Sequence, residues 1–157
     1  MDVTVSTVYD APRPLVAAVA GDPAHAERWS GTVHGVRWHG EPTVAAGSSF
    51  ELLSRALGRE MAATYRVVDL VPGERLVARV EGGAYPLEVT MTWWDEEPGS
   101  TGPRTGMALR RAGRPPVMAT LGSGAVTLGM RRAMRRDLER LRLVLREEAD
   151  AASRPGV

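Results

Sequence analysis

The order of its segments constrains this chain more than any single motif does. A strand-like stretch near Asp2–Tyr9 runs into Ala11-Pro12 and a short helix, then Asp22-Pro23 and a second short helical piece ending at Trp29. Six more strand-like segments follow, and after Pro115-Pro116 the chain closes in one long helix that reaches about Glu148. Closely spaced strands joined by short turns argue for an antiparallel meander. One curved sheet closed by one long helix encloses a cavity, and a cavity is where function is sought.

Local patterns place the elements. Val3, Val5, Thr7 and Tyr9 alternate with smaller or polar neighbours, as a half-buried strand requires. Pro12 and Pro14 suit a first helical turn, with Asp10 as a candidate cap, and Gly21-Asp22-Pro23 ends that helix. Residues 32–39 put His34, Val36 and Trp38 on one face, and 48–57 put Phe50, Leu52 and Ser54 together. Met61, Ala63, Tyr65 and Val67 share a face of the next strand, and the alternation breaks at Asp69. Val71-Pro72-Gly73-Glu74 has the Pro and Gly placement of a type II turn. Strands then follow at 75–81, at 87–93 with Leu87, Val89, Met91 and Trp93 aligned, and at 105–111. Gly82-Gly83 is read as a turn and Glu96–Arg104 as a loop. In the last helix Met134, Leu138, Leu141 and Leu145 form an apolar stripe, with arginines over much of the remainder. Gly122, Gly124 and Gly129 lie in or beside its first half, where each internal Gly costs about 1 kcal/mol relative to Ala. They indicate either a late helix start or a thin face that leaves room for a ligand above Met91 and Trp93.

Size and charge narrow the classes. The 157 residues fit one domain, taken as 1–150 with 151–157 as a flexible tail, and need no disulfide or metal to stay folded. A net charge of +1 lacks the basic excess expected for a nucleic-acid partner. No apolar run approaches the roughly 20 residues that cross a bilayer, and the first residues lack the layout of a signal peptide. A cytoplasmic protein without membrane insertion is expected, with a homodimer left open. There is no Cys, and all 20 basic residues are Arg, so neither a thiolate nor a lysine Schiff base is available to any chemistry.

The remaining candidates are few. His25, His34 and His39 show no ligand spacing with carboxylates, so no metal is expected. Gly122-Ser123-Gly124 with Gly129 is not a dinucleotide fingerprint, since no βαβ unit surrounds it, and no cofactor is expected. His34 reads either as an inward imidazole for general acid–base work or as a partly exposed histidine near the sheet end. Tyr65 reads either as a phenol that orients a carbonyl or as packing whose hydroxyl bonds to backbone. If the protein is an enzyme, these two side chains are the catalytic candidates.

The chain resembles the START-like helix-grip superfamily (SRPBCC), and within it the polyketide cyclase/dehydrase and lipid transport branch. The residues that carry the resemblance are Ala11-Pro12 after the first strand, Asp22-Pro23 followed by Trp29, the stretch from Tyr65 through Val71-Pro72-Gly73-Glu74 to Leu76, and the Arg131–Leu145 helix. It spans roughly residues 2–148. The resemblance implies an α+β fold in which a seven-stranded antiparallel sheet wraps around the long C-terminal helix, with two short helices after the first strand. It also implies an internal apolar cavity, which Trp38, Phe50, Val67, Met91, Trp93, Met118 and Leu121 would line. Family cyclases fold a reactive polycarbonyl chain in such a cavity. The best-known of them carry an Arg in the strand before the Val-Pro turn, where this chain has Thr64-Tyr65-Arg66 and, just before Val71, Leu70. Two functions follow: an enzyme that cyclises or dehydrates a polycarbonyl intermediate, or a non-catalytic carrier or sensor of a lipid, quinone or similar molecule.

Overall fold

The computed structural model describes residues 1–56, 58–82, 85–116 and 118–154. Leu57, Gly83, Val117 and residues 155–157, which the expected strand, turn, helix start and tail include, lie outside the described residues. The chain runs β1 (Asp2–Tyr9), α1 (Arg13–Ala20), a 3-10 turn (Pro23–His25), α2 (Ala26–Trp29), then β2 (Val33–His39), β3 (Ser49–Ala56), β4 (Arg59–Val71), β5 (Arg75–Gly82), β6 (Leu87–Gly99) and β7 (Gly102–Gly113). It closes with α3 (Met118–Leu121) and α4 (Ser123–Ser153). The seven strands form one sheet in the order β1-β7-β6-β5-β4-β3-β2, antiparallel throughout. The expected helix-grip architecture is the one the chain adopts.

Sheet and helix meet where both patterns are apolar. Val3, Val5 and Tyr9 of β1 and Met107 and Leu109 of β7 are buried in one cluster with Met134, Leu138, Leu141, Val144 and Leu145 of α4. Val16, Val19 and Ala20 of α1 and Trp29 of α2 complete it. Polar ties fix how α4 lies. Tyr9 donates its hydroxyl to the Leu138 carbonyl at 2.7 Å, and the Arg142 guanidinium sits 4.9 Å from the Tyr9 ring centroid. Arg142 also donates to the Val8 carbonyl and to Thr7 Oγ1.

Two expectations change, and of the two readings offered for the helix glycines the late start is the one found. The stretch Glu96–Arg104 is a strand extension, not a loop: Glu96 pairs with Arg104 and Gly99 with Gly102 across a register shift. Opposite charges in register and a 2.7 Å hydrogen bond from Trp94 Nε1 to Glu96 support the pairing despite the Gly, Ser and Thr content. The C-terminal helix starts late, because Gly122 at φ +82° separates α3 from α4 in a conformation an L side chain rarely adopts. It also ends late, since Ala151–Ser153 continue α4 where a tail was expected. The turn at Val71–Glu74 is closed as read, Glu74 N–H donating to the Val71 carbonyl at 2.9 Å.

Two variants probe this packing. Leu141 is 0% exposed, so Leu141→Asp buries a charge without a partner and should cost about 3–5 kcal/mol in chemical denaturation. A variant as stable as the parent would mean that the stripe does not hold the helix. Burial raises the Tyr9 pKa above its ordinary 10, against the opposing effect of Arg142. The native state therefore keeps the phenol neutral while the unfolded chain ionises it, and stability falls as pH rises above about 10. Tyr9→Phe should cost about 1 kcal/mol at pH 7 by losing the bond to Leu138. It should also make the alkaline loss shallower, which urea titrations at pH 7 and pH 11 would show.

Candidate functional site

The concave face of the sheet, with residues from each of β2 to β7, and the α1–α2 segment border a chamber of ≈ 80 Å³. Its walls come from alternation with interruptions. Trp38, Phe50 and Tyr65 face one another across β2, β3 and β4 because Trp38 pairs with Phe50 and Phe50 with Tyr65. Phe50 and Tyr65 stack with centroids 5.7 Å apart and planes at 9°, while Trp38 tilts against Phe50 at 5.6 Å. A bulge at Val68 resets the strand after Val67, so Leu70 returns to the inner face opposite Leu76 and Asp69 turns out to meet Arg75. The broken alternation at Asp69 is that bulge.

The expected site residues divide. Tyr65, Phe50, Val67 and Met91 line the chamber. Trp38 supports the wall from behind Phe50. Trp93 is buried in the core and lines a different groove, on the far side of Leu76. Met118 lies outside the chamber with its sulfur 4.0 Å from the N-terminal amine, and Leu121 is 61% exposed. Gly122, Gly124 and Gly129 face open space and do not border the chamber, so the room expected above them is not where the cavity lies. The glycine at 122 is explained by its backbone conformation.

His34 does not face inward. Strict alternation would put it beside Val36 and Trp38, but a bulge between Val33 and Gly35 adds one residue to β2. Val33 takes the inner position opposite Ser54, and His34 turns to solvent, its side chain 46% exposed and Nε2 3.9 Å from Glu60. His34 and Tyr65 are therefore not brought together. Arg66 also points outward, with its Nε donating to Glu81 at 2.6 Å.

Polar groups that sequence reasoning missed supply the chamber's electrostatics. Arg111 lines it from β7, its Nη1 3.9 Å from Met130 Sδ and its Nη2 4.0 Å from Asp137 Oδ2. Asp137, 5% exposed, accepts from Gly31 N–H at 2.9 Å and from Arg140 Nη1 at 3.2 Å. Burial raises its pKa, opposed by the Gly31 bond and by Arg111, Arg140 and Arg136. Burial likewise raises the Tyr65 pKa, with Arg111 opposing, so the phenol is held as a neutral donor. Trp29 Nε1 and Ser30 Oγ are buried on the lining with no hydrogen-bond partner among the described residues. Buried polar atoms are nearly always paired, so Trp29 Nε1 asks for an acceptor and the Ser30 hydroxyl, which can donate or accept, for a partner of either kind. The remaining polar side chain on the lining is Asp22, whose Oδ1 accepts from Ala24 N–H at 2.9 Å.

A signal for two of these groups was present. Arg111 continues the inward alternation of Thr105, Met107 and Leu109, and Asp137 falls inside the Met134–Leu138–Leu141 stripe. A charge at an apolar position of a periodic element marks a buried polar contact. Among the described residues, no three His, Cys, Asp or Glu side chains gather as a metal site, and no helix is long and apolar enough to cross a membrane.

Comparison with solved structures identifies the fold. The Zhui aromatase/cyclase from Streptomyces sp. R1128 superposes with a TM-score of 0.73 at 19% identity, covering 100% of this chain and 99% of that one. The protein TTHA0849 from Thermus thermophilus gives 0.72 at 17% identity over 98% and 100%. SA2116 from Staphylococcus aureus, a protein of unknown function, gives 0.71 at 12% identity over 96% of each chain. At such identities the likeness establishes fold alone. No curated protein matches the chain. The match that reaches further is to a family, and it covers residues 1–146: by it, the chain belongs to the polyketide cyclase / dehydrase and lipid transport family.

Proposed function

We propose that this protein takes an apolar, carbonyl-bearing small molecule into the chamber and promotes its cyclisation or dehydration by holding the carbonyl oxygens on donors. The observation that carries the reading is the donor set: Arg111, Tyr65 and the unpartnered Trp29 Nε1 and Ser30 Oγ lie on walls whose remaining polar side chain is Asp22. Donors in a site of low dielectric match a ligand whose polar atoms are acceptors. The aromatase/cyclase among the fold relatives and the family's name point to the same substrate class.

The chemistry follows from charge. A carbonyl held by the Arg111 cation and the Tyr65 hydroxyl enolises more readily, because hydrogen bonds to the developing negative charge strengthen in the transition state. The proton leaving the carbon between two carbonyls would pass to water or to the free oxygen of Asp22. The enolate carbon would then attack a second carbonyl of the same molecule, whose oxygen would take up a proton to become a hydroxyl, and that hydroxyl would leave as water with the loss of a proton from the neighbouring carbon. Confinement favours that intramolecular closure over reaction in solution. Asp137 would act as a positioning residue, since it lies against Arg111 and ties it to the Gly31 backbone through α4.

A second reading, a non-catalytic carrier of a similar molecule, is favoured by one observation: His34, the imidazole suited to a proton transfer near neutral pH, faces solvent. Deuterium exchange at the central carbon of 1-phenyl-1,3-butanedione, followed by NMR, separates the two. In the enzymatic reading the protein accelerates exchange over buffer, Arg111→Leu lowers that rate about 10²-fold, and Tyr65→Phe lowers it less. If the diketone binds but exchanges no faster than in buffer, the protein is a carrier.

A further inference from the structure

We propose that the ligand site does not end in the chamber but continues into the groove on the outer side of α1, so that the ligand is elongated, with an oxygen-bearing head inside and a neutral apolar tail outside. This rests on the chamber reading above and extends it. The first observation is size. A chamber of ≈ 80 Å³ has room for about a single ring-sized head and lies far below the roughly 300–1,000 Å³ of ordinary ligand pockets. The neighbouring groove measures ≈ 660 Å³, within that range.

The second observation is continuity. Gly21, Asp22, Val44 and Leu76 border both spaces, so the chamber and the groove abut along these residues. Gly21 keeps that boundary thin. A Cβ there would stand 2.7 Å from the Ala17 carbonyl oxygen and 3.3 Å from Trp93 Cη2, so any side chain would force a shift. The backbone at Gly21 is ordinary right-handed, and it is the close approach that calls for glycine.

The groove's chemistry sets the tail's character. Its floor is apolar, with Ala17, Leu70, Leu76 and Trp93. Its cation, Arg13, is already engaged: it donates to the Gly73 carbonyl at 3.0 Å and to Asp95 at 3.1 Å, with Glu74 3.9 Å away. An anionic tail would meet these carboxylates and Asp22, while a neutral one loses nothing.

The test uses the intact chain and two probes, 4-ethylphenol and 4-octylphenol, with affinities measured by titration calorimetry. Each methylene the groove buries should raise affinity about fourfold, so the octyl compound should bind more tightly by well over tenfold. Ala18 and Thr43 are exposed and border the groove but not the chamber, on α1 and on the β2–β3 connection respectively. Ala18→Trp and Thr43→Trp should each weaken 4-octylphenol at least tenfold and leave 4-ethylphenol within twofold. Leu52 borders the chamber alone, and Leu52→Trp should weaken both phenols. If neither groove variant affects 4-octylphenol while Leu52→Trp weakens both probes, the chamber stands and its extension is overturned. If Leu52→Trp leaves both unchanged, or neither phenol binds the parent protein, the chamber reading falls and the extension falls with it.

Discussion

The contact of α4 with β1 and β7 is the constraint on which the rest of the structure depends. Met134, Leu138 and Leu141 reach 2% exposure or less against Val3, Met107 and Leu109, and this burial closes one end of the sheet over the helix. Apolar burial is not directional, so the polar ties from Tyr9 and Arg142 to α4 and β1 give the contact its orientation. With α4 committed there, none of its residues borders the chamber under the concave face. The space that becomes the chamber is left to the α1–α2 segment to cover, which is why Trp29 and Ser30 border it.

Asp137 links this scaffold to the site. A carboxylate inside an apolar stripe is costly to bury unless its lone pairs are met. Here they are met by the Gly31 backbone and by Arg140, with Arg111 alongside. One buried charge thus fastens the α2–β2 connection to α4 and sets the position of the cation on the chamber wall. Arg111 in turn opposes the effect of burial on Tyr65, so the two donors on the wall are electrostatically coupled.

Bulges decide which side chains the chamber receives. The one in β2 substitutes Val33 for His34 on the inner face, and the one at Val68 turns Asp69 out and brings Leu70 in, beside the groove. A single inserted residue reverses every following position relative to simple alternation. Each such interruption changes which side chains the lining receives, and the one in β2 puts a valine where simple alternation would put an imidazole.

Local periodicity was enough to establish the element order, the antiparallel meander and the apolar stripe of α4, because such periodicity survives in any curved sheet; it aligned Tyr65 with Val67 but left open whether that face or that of Arg66 turns inward. The chain also carried legible marks of Arg111 and Asp137, charges standing at apolar positions. Packing between distant segments settled where the chamber lies, that His34 faces solvent, that Trp93 serves a second groove and that Leu121 stays outside. Those outcomes depend on bulges, on the break at Gly122 and on how far α4 is drawn toward β1. No window of neighbouring residues contains the forces that fix them.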